Sequence, residues 1–175
     1  MTTPQHLAAQ KEDGVRARRF SEALERMRAG ESVREDLSSC GLQDTDAAAI
    51  AEGIKSATNL TALDLYDNKI GDKGIIELAE AIATSKSLRI LSLKWNHFGA
   101  RNVVGGLTND EGLRKLAAEL KGVKKSPLEQ INLEWNTIWE DGKKALAPLQ
   151  TQKLFIAVDG GLPNTGPKPW GFDFQ

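Results

Sequence analysis

The chain has 175 residues, 40% hydrophobic and 27% charged, enough to bury one substantial core without disulfides or metals. Lysine plus arginine number 23 against 24 aspartate plus glutamate, a net charge of -1 that calls for neither nucleic acid nor an anionic membrane. The single cysteine, Cys40, excludes an internal disulfide and fits a reducing compartment, and no apolar run is long enough to predict a membrane span. The start lacks an apolar signal core, so the glycosylation match at Asn59 reads as chance. These features predict an intracellular protein; the assembly role read below extends the expected location from the cytoplasm to the cytoskeleton or cilium, with an organelle as the alternative.

The first predicted element is an amphipathic helix over 15–29, with Phe20, Ala23, Leu24 and Met27 on one face and Gly30 just past its end. Five arginines, Arg16, Arg18, Arg19, Arg26 and Arg28, decorate the other side. From Ser32 the chain becomes periodic. Three stretches, from Leu60, Leu88 and Leu128, share the pattern L-x-x-[LI]-x-L-x-x-N-x-[IF]. Their asparagines, Asn68, Asn96 and Asn136, are 28 and 40 residues apart. A degraded copy precedes them, with Cys40 in the asparagine position, Leu37 and Leu42 beside it, and Glu35 where a core leucine is expected. After each strand-like run an apolar set follows at helical spacing: Ile50 and Ile54; Gly74, Leu78 and Ile82; Gly112, Leu116 and Leu120; Gly142, Leu146 and Leu149. Asp44, Thr45 or Asp46 is expected to cap the first of these helices. The third unit carries extra length at 99–110, where Gly105-Gly106 suggests a flexible loop. That loop reads equally well as functional or as a tolerated insertion. "TNDE" from Thr108 matches a capping box restarting the helix. Beyond Gln150, Leu154, Ile156 and Val158 fall on one side of an extended run that closes the sheet. The last stretch is rich in proline and glycine, and its Trp170, Phe172 and Phe174 would face one way in an extended chain.

One such strand-turn-helix unit cannot bury its apolar side alone, whereas stacked units can. On these residues the pattern resembles leucine-rich repeats, specifically the ribonuclease-inhibitor-like subfamily, over 32–150. The resemblance implies an α/β fold: a short solenoid of about four strand-turn-helix units, with a parallel sheet on a concave side and helices on a convex side. The expected organisation is an N-terminal helical cap at 1–31 and repeats at 32–59, 60–87, 88–127 with its insertion, and 128–150. A capping strand at 151–162 and an extended aromatic tail at 163–175 follow. Cys40, Asn68, Asn96 and Asn136 are expected to form a turn ladder, since an amide side chain both donates and accepts; in this family cysteine is a known substitute at that position.

Chemistry is harder to find. His6 and His97 are far apart, no nucleophile-base pair stands out, and a calcium-loop reading from Asp67 fails because Lys69 and Gly71 occupy ligand positions. No glycine loop ends in the phosphate-binding signature. The sequence therefore predicts no enzyme, no metal, no cofactor, no small-molecule substrate and no nucleic-acid partner. The positions that the core does not use are Asp64, Tyr66 and Asp67; Ser92, Lys94 and Trp95; Asn132, Glu134 and Trp135. These should project from the concave face, with Tyr66, Trp95 and Trp135 forming one aromatic ridge. The competing reading lays the tryptophan rings over the asparagine turns as packing. The expected function is a non-enzymatic protein-interaction scaffold, a subunit of a larger intracellular assembly. It would bind protein through Tyr66, Lys94, Trp95, Glu134 and Trp135, and through Trp170, Phe172 and Phe174 of the tail, which would anchor on a neighbour or on the chain itself. The resemblance also implies an alternative, a regulator acting as an enzyme inhibitor or, like the GTPase-activating protein of Ran, on a small GTPase.

Overall fold

The computed structural model describes residues 4–99, 110–123, 125–151 and 153–159. Each repeat places a three-residue strand before a helix. The strands are β1 (Arg34–Asp36), β2 (Ala62–Asp64), β3 (Ile90–Ser92), β4 (Gln130–Asn132) and β5 (Phe155–Ala157). All pair in parallel in chain order, with Glu35, Leu63, Leu91, Ile131 and Ile156 in one row. The helices are α1 (Pro4–Ala29), α2 (Ala47–Ser56), α3 (Asp72–Thr84), α4 (Glu111–Gly122) and α5 (Glu140–Leu146), each packed on its neighbour in sequence. The result is the α/β repeat arrangement of a short leucine-rich-repeat solenoid.

The core lies between the strand row and the helix row. Leu63, Leu65, Ile70, Ile75, Leu78 and Ile82 of one unit are fully enclosed, and so are their equivalents in the next: Leu91, Leu93, Phe98, Leu113 and Leu116. Burying each such side chain contributes roughly 1.5–3 kcal/mol, so stacking rather than any single unit holds the fold.

α1 begins at Pro4, well before the predicted start at residue 15. The amphipathic signal covers only the part that packs: Ala23, Leu24 and Met27 are buried and Phe20 partly so, whereas Lys11 to Arg18 are exposed. The exposed part continues by propensity and by ion pairs along the helix, such as Arg18 with Glu22 at 2.7 Å. Gly30 ends α1 at a φ of +71°.

Glu35 occupies a core position of β1 and is 5% exposed. It survives there because Arg26 of α1 donates to it twice, at 2.9 and 2.7 Å, and the Ser32 hydroxyl donates at 2.5 Å.

Of the residues expected to cap α2, Asp46 takes the N-cap position, without a side-chain bond to the helix. Asp44 to Asp46 form a short 3-10 turn, and the Asp44 carboxylate does not cap its own helix. It accepts the amides of Gly71 (2.6 Å) and Gly74 (2.9 Å) at the start of α3, in the next unit. At the insertion, α4 begins at Glu111 after Asp110, whose φ is +76°, with no side-chain cap. Thr108 and the loop 100–109, including Gly105-Gly106, lie outside the described residues.

Candidate interaction ridge

The strand side of each unit ends in the same tight turn. Its residue before the asparagine position has a left-handed backbone in all four units: Ser39, Asp67, Trp95 and Trp135, with φ from 51° to 60°. This conformation turns each amide toward the next unit. Ser39 donates to the Tyr66 carbonyl, Asp67 to Lys94 and Trp95 to Glu134, at 2.9 to 3.1 Å. Trp135 donates to the Asp159 carboxylate at 2.5 Å, which ends the row.

Beneath this turn the asparagines reach backward. Asn68 accepts the Leu42 amide and donates to the Leu37, Leu65 and Tyr66 carbonyls. Asn96 accepts from Ile70 and donates to Leu65 and Leu93. Asn136 accepts from Asn96 and donates to Leu93 and Leu133. Each asparagine thus satisfies main-chain groups of the unit before it. Cys40 heads the row, where the preceding element is a helix rather than another turn. Its thiol is buried, and burial pushes its pKa up, which suits packing rather than reactivity. In that first unit Arg19 of α1 donates to the Asp36 and Ser38 carbonyls instead.

Above the ladder the rings form a continuous row. Tyr66 and Trp95 have centroids 5.9 Å apart at an interplanar angle of 53°, and Trp95 and Trp135 are 6.1 Å apart at 42°. The tryptophans are 54% and 62% exposed, while Asn68 and Asn96 beside them are buried. The rings lie against one another rather than under the fold. A left-handed backbone costs a residue with a Cβ roughly 1–2 kcal/mol, and asparagine, aspartate or glycine tolerates it best. A tilted ring pair returns about 0.5–1.5 kcal/mol. The two terms nearly cancel, so stability alone does not account for tryptophan here in place of the aspartate found at residue 67. Lys94 and Glu134 flank the rings and are half-buried.

Ser92 and Asn132 do not project as the spacing suggested; they are 4% and 3% exposed. Their short side chains turn back onto the sheet. Asn132 accepts the Glu134 amide, Asp64 accepts the Tyr66 amide, both at 2.9 Å, and the Ser92 hydroxyl bonds the Asp64 carboxylate. Burial raises the Asp64 pKa against these bonds, and nearby Asp36 adds to the rise.

A second row of contacts escaped the sequence reading. Asp72 accepts the amides of Gly99 and Gly112, both at 2.9 Å. Asp110, fully buried, accepts those of Trp139 (3.1 Å) and Gly142 (2.9 Å). With Asp44 they form a carboxylate row in which each unit caps the helix of the next. Burial raises the Asp110 pKa, and the donated amides oppose that rise. The available signal was an aspartate two residues before a helix-start glycine, in Asp72–Gly74 and Asp110–Gly112. Trp139 was also missed. Its indole donates to the Gly99 carbonyl at 3.0 Å while the ring stays 40% exposed, pinning the start of the insertion to the fourth unit.

Trp170, Phe172 and Phe174 lie outside the described residues. Among the described residues no cluster of His, Cys, Asp and Glu has metal-site geometry, and no helix is long and apolar enough to cross a membrane.

Comparison with known proteins agrees with this architecture. A family model described as Leucine Rich repeat matches residues 56–79. The Tonsoku-like protein of Bos taurus is 30% identical over 112 residues, which is 63% of this chain and 7% of that much longer protein. Among solved structures, Leiomodin-1 Actin-Binding Site 2 shares the fold with a TM-score of 0.51 at 19% identity, covering 77% of this chain and 88% of that one. The repeated motif and the parallel strand row with its helices give the chain the fold of a short leucine-rich-repeat solenoid, and its second repeat is similar in sequence to that family.

Proposed function

We propose that the protein is a non-enzymatic interaction module that binds a protein partner through the Tyr66–Trp95–Trp135 ridge, with Lys94 and Glu134 at its flanks, and serves as a subunit of a larger intracellular assembly. The 28-residue interval supports placing its repeats in the ribonuclease-inhibitor-like subfamily. One observation carries the reading. Two tryptophans are held more than half exposed on a rigid sheet, in a backbone conformation that disfavours them. Exposed aromatic side chains on a rigid scaffold are typical interface anchors, each worth about 2 kcal/mol or more at the centre of a contact.

The test compares the wild-type chain with a Trp95→Ala, Trp135→Ala double variant in affinity capture with chemical cross-linking. Monomeric actin is a sensible first defined probe, because the Leiomodin-1 domain that shares the fold is named as an actin-binding site. Partners bound through the ridge should be lost or weakened at least about 100-fold, with circular dichroism unchanged. Equal capture by a folded double variant would remove the ridge from the interface.

A further inference from the structure

We infer that the ridge has a resident occupant, the chain's own segment 160–175, which folds back across Tyr66, Trp95 and Trp135 through Trp170, Phe172 and Phe174. This deepens the proposed function and rests on the ridge being a contact surface.

Asp159 is the last described residue, and its carboxylate takes the amide of Trp135 at 2.5 Å. The segment therefore leaves the fold beside the outermost ring of the ridge.

Ten residues, 160–169, separate Asp159 from Trp170. Fully extended they would span about 35 Å, against about 12 Å from Trp135 to Tyr66, so the chain can turn and return. Gly160, Gly161 and Gly166 supply turning positions, and Pro163, Pro167 and Pro169 lower the entropy lost on ordering the connection.

In an extended chain alternate residues share a face, about 6.6 Å apart. Trp170, Phe172 and Phe174 thus form a three-ring row of nearly the same pitch as the ridge, whose rings are 6.1 and 5.9 Å apart. The two rows are commensurate over three rings. A loose tether of this length supplies an effective concentration in the millimolar range, so weak ring contacts suffice to hold the segment in place. An external partner then has to displace it.

The full chain is labelled with 6-fluorotryptophan, and its resonances are assigned by single Trp→Phe substitutions. A Phe172→Ala, Phe174→Ala variant keeps all four tryptophans. In that variant the Trp95 and Trp135 resonances should move toward solvent-exposed values, and their solvent isotope shifts should rise at least about twofold at any protein concentration. Unchanged resonances overturn the inference. A change that fades on dilution of the wild type also overturns it, because the segment then comes from a second copy. In the capture experiment the same variant should bind the ridge partner about two- to tenfold more strongly. Weaker capture would make the segment part of the partner contact instead of its competitor. The fluorine measurement needs no partner, so it separates this inference from the ridge proposal itself.

Discussion

Asp64 shows how one position carries both structure and electrostatics. Its carboxylate accepts the Tyr66 amide and the Ser92 hydroxyl, yet burial raises its pKa above the ordinary aspartate range. A raised carboxyl pKa in the folded state means the native form holds its proton more tightly than the unfolded chain. Stability from this group is complete below the ordinary aspartate value and is lost as pH rises through the folded value. The fourth unit solves the same position with Asn132, which keeps the main-chain bond without the charge. Asp64→Asn should therefore melt at a higher temperature than wild type at pH 7. The two melting curves should converge as pH falls through the aspartate range. Thermal unfolding between pH 3 and pH 7 checks this, and a constant gap would show that ionisation of Asp64 is not the cause. The tryptophans obey a different logic at the same scale. Their backbone strain and ring contacts offset each other, which leaves exposure as their distinguishing property.

At the scale of the element, glycine has two opposite meanings in these helices. Gly74 in the first turn of α3 has no room for a side chain: an added Cβ would lie 2.6 Å from Asp44 Oδ1 and 2.7 Å from Ile70 Cγ2. The close approach lets its amide reach the neighbouring carboxylate. Gly122 at the end of α4 meets nothing within 4 Å. Helix propensity alone predicts that alanine stabilises both by up to about 1 kcal/mol. Overpacking and a lost hydrogen bond reverse the sign at residue 74, so Gly74→Ala should destabilise by about 2–3 kcal/mol. Gly122→Ala should be neutral or gain about 0.5 kcal/mol. Urea unfolding of the two variants decides it, and a stabilised Gly74→Ala would contradict the carboxylate row as a packing constraint.

Across the whole molecule the units stack in one dimension, so the ends matter more than in a compact domain. The first unit is closed by the Arg26–Glu35 pair, one partner buried and the other 46% exposed in its side chain. Removing one partner strands a buried carboxylate, whereas replacing both with apolar groups does not. Arg26→Ala should cost about 2 kcal/mol after allowing for solvent screening of the exposed arginine. Arg26→Met combined with Glu35→Leu and Ser32→Ala, which removes the hydroxyl that would otherwise be stranded, should lie within about 1 kcal/mol of wild type. Hydrogen exchange should localise the loss in the single variant, with protection falling in β1 and α2 and persisting in β4. A uniform loss across all strands would show that the stack unfolds as one unit.

The sequence by itself determined the repeat, the enclosed leucines and isoleucines, the asparagine turns and the strand-then-helix order. These depend on local periodicity and on residue types that have one use in a turn. Glu35 marked the first unit as unusual from its position alone. The tertiary structure decided the rest. That Asp44, Asp72 and Asp110 serve the following unit, that Trp139 pins the insertion, and that Ser92 and Asn132 turn inward are contacts across 27 to 40 residues or consequences of strand stacking. Spacing within one unit records at most the aspartate two residues before a helix-start glycine, and not which unit that aspartate serves. The exposure of Trp95 and Trp135 belongs to both levels. The motif shows that the core does not need them, and only the left-handed turn, repeated in register along the sheet, places their rings side by side in solvent.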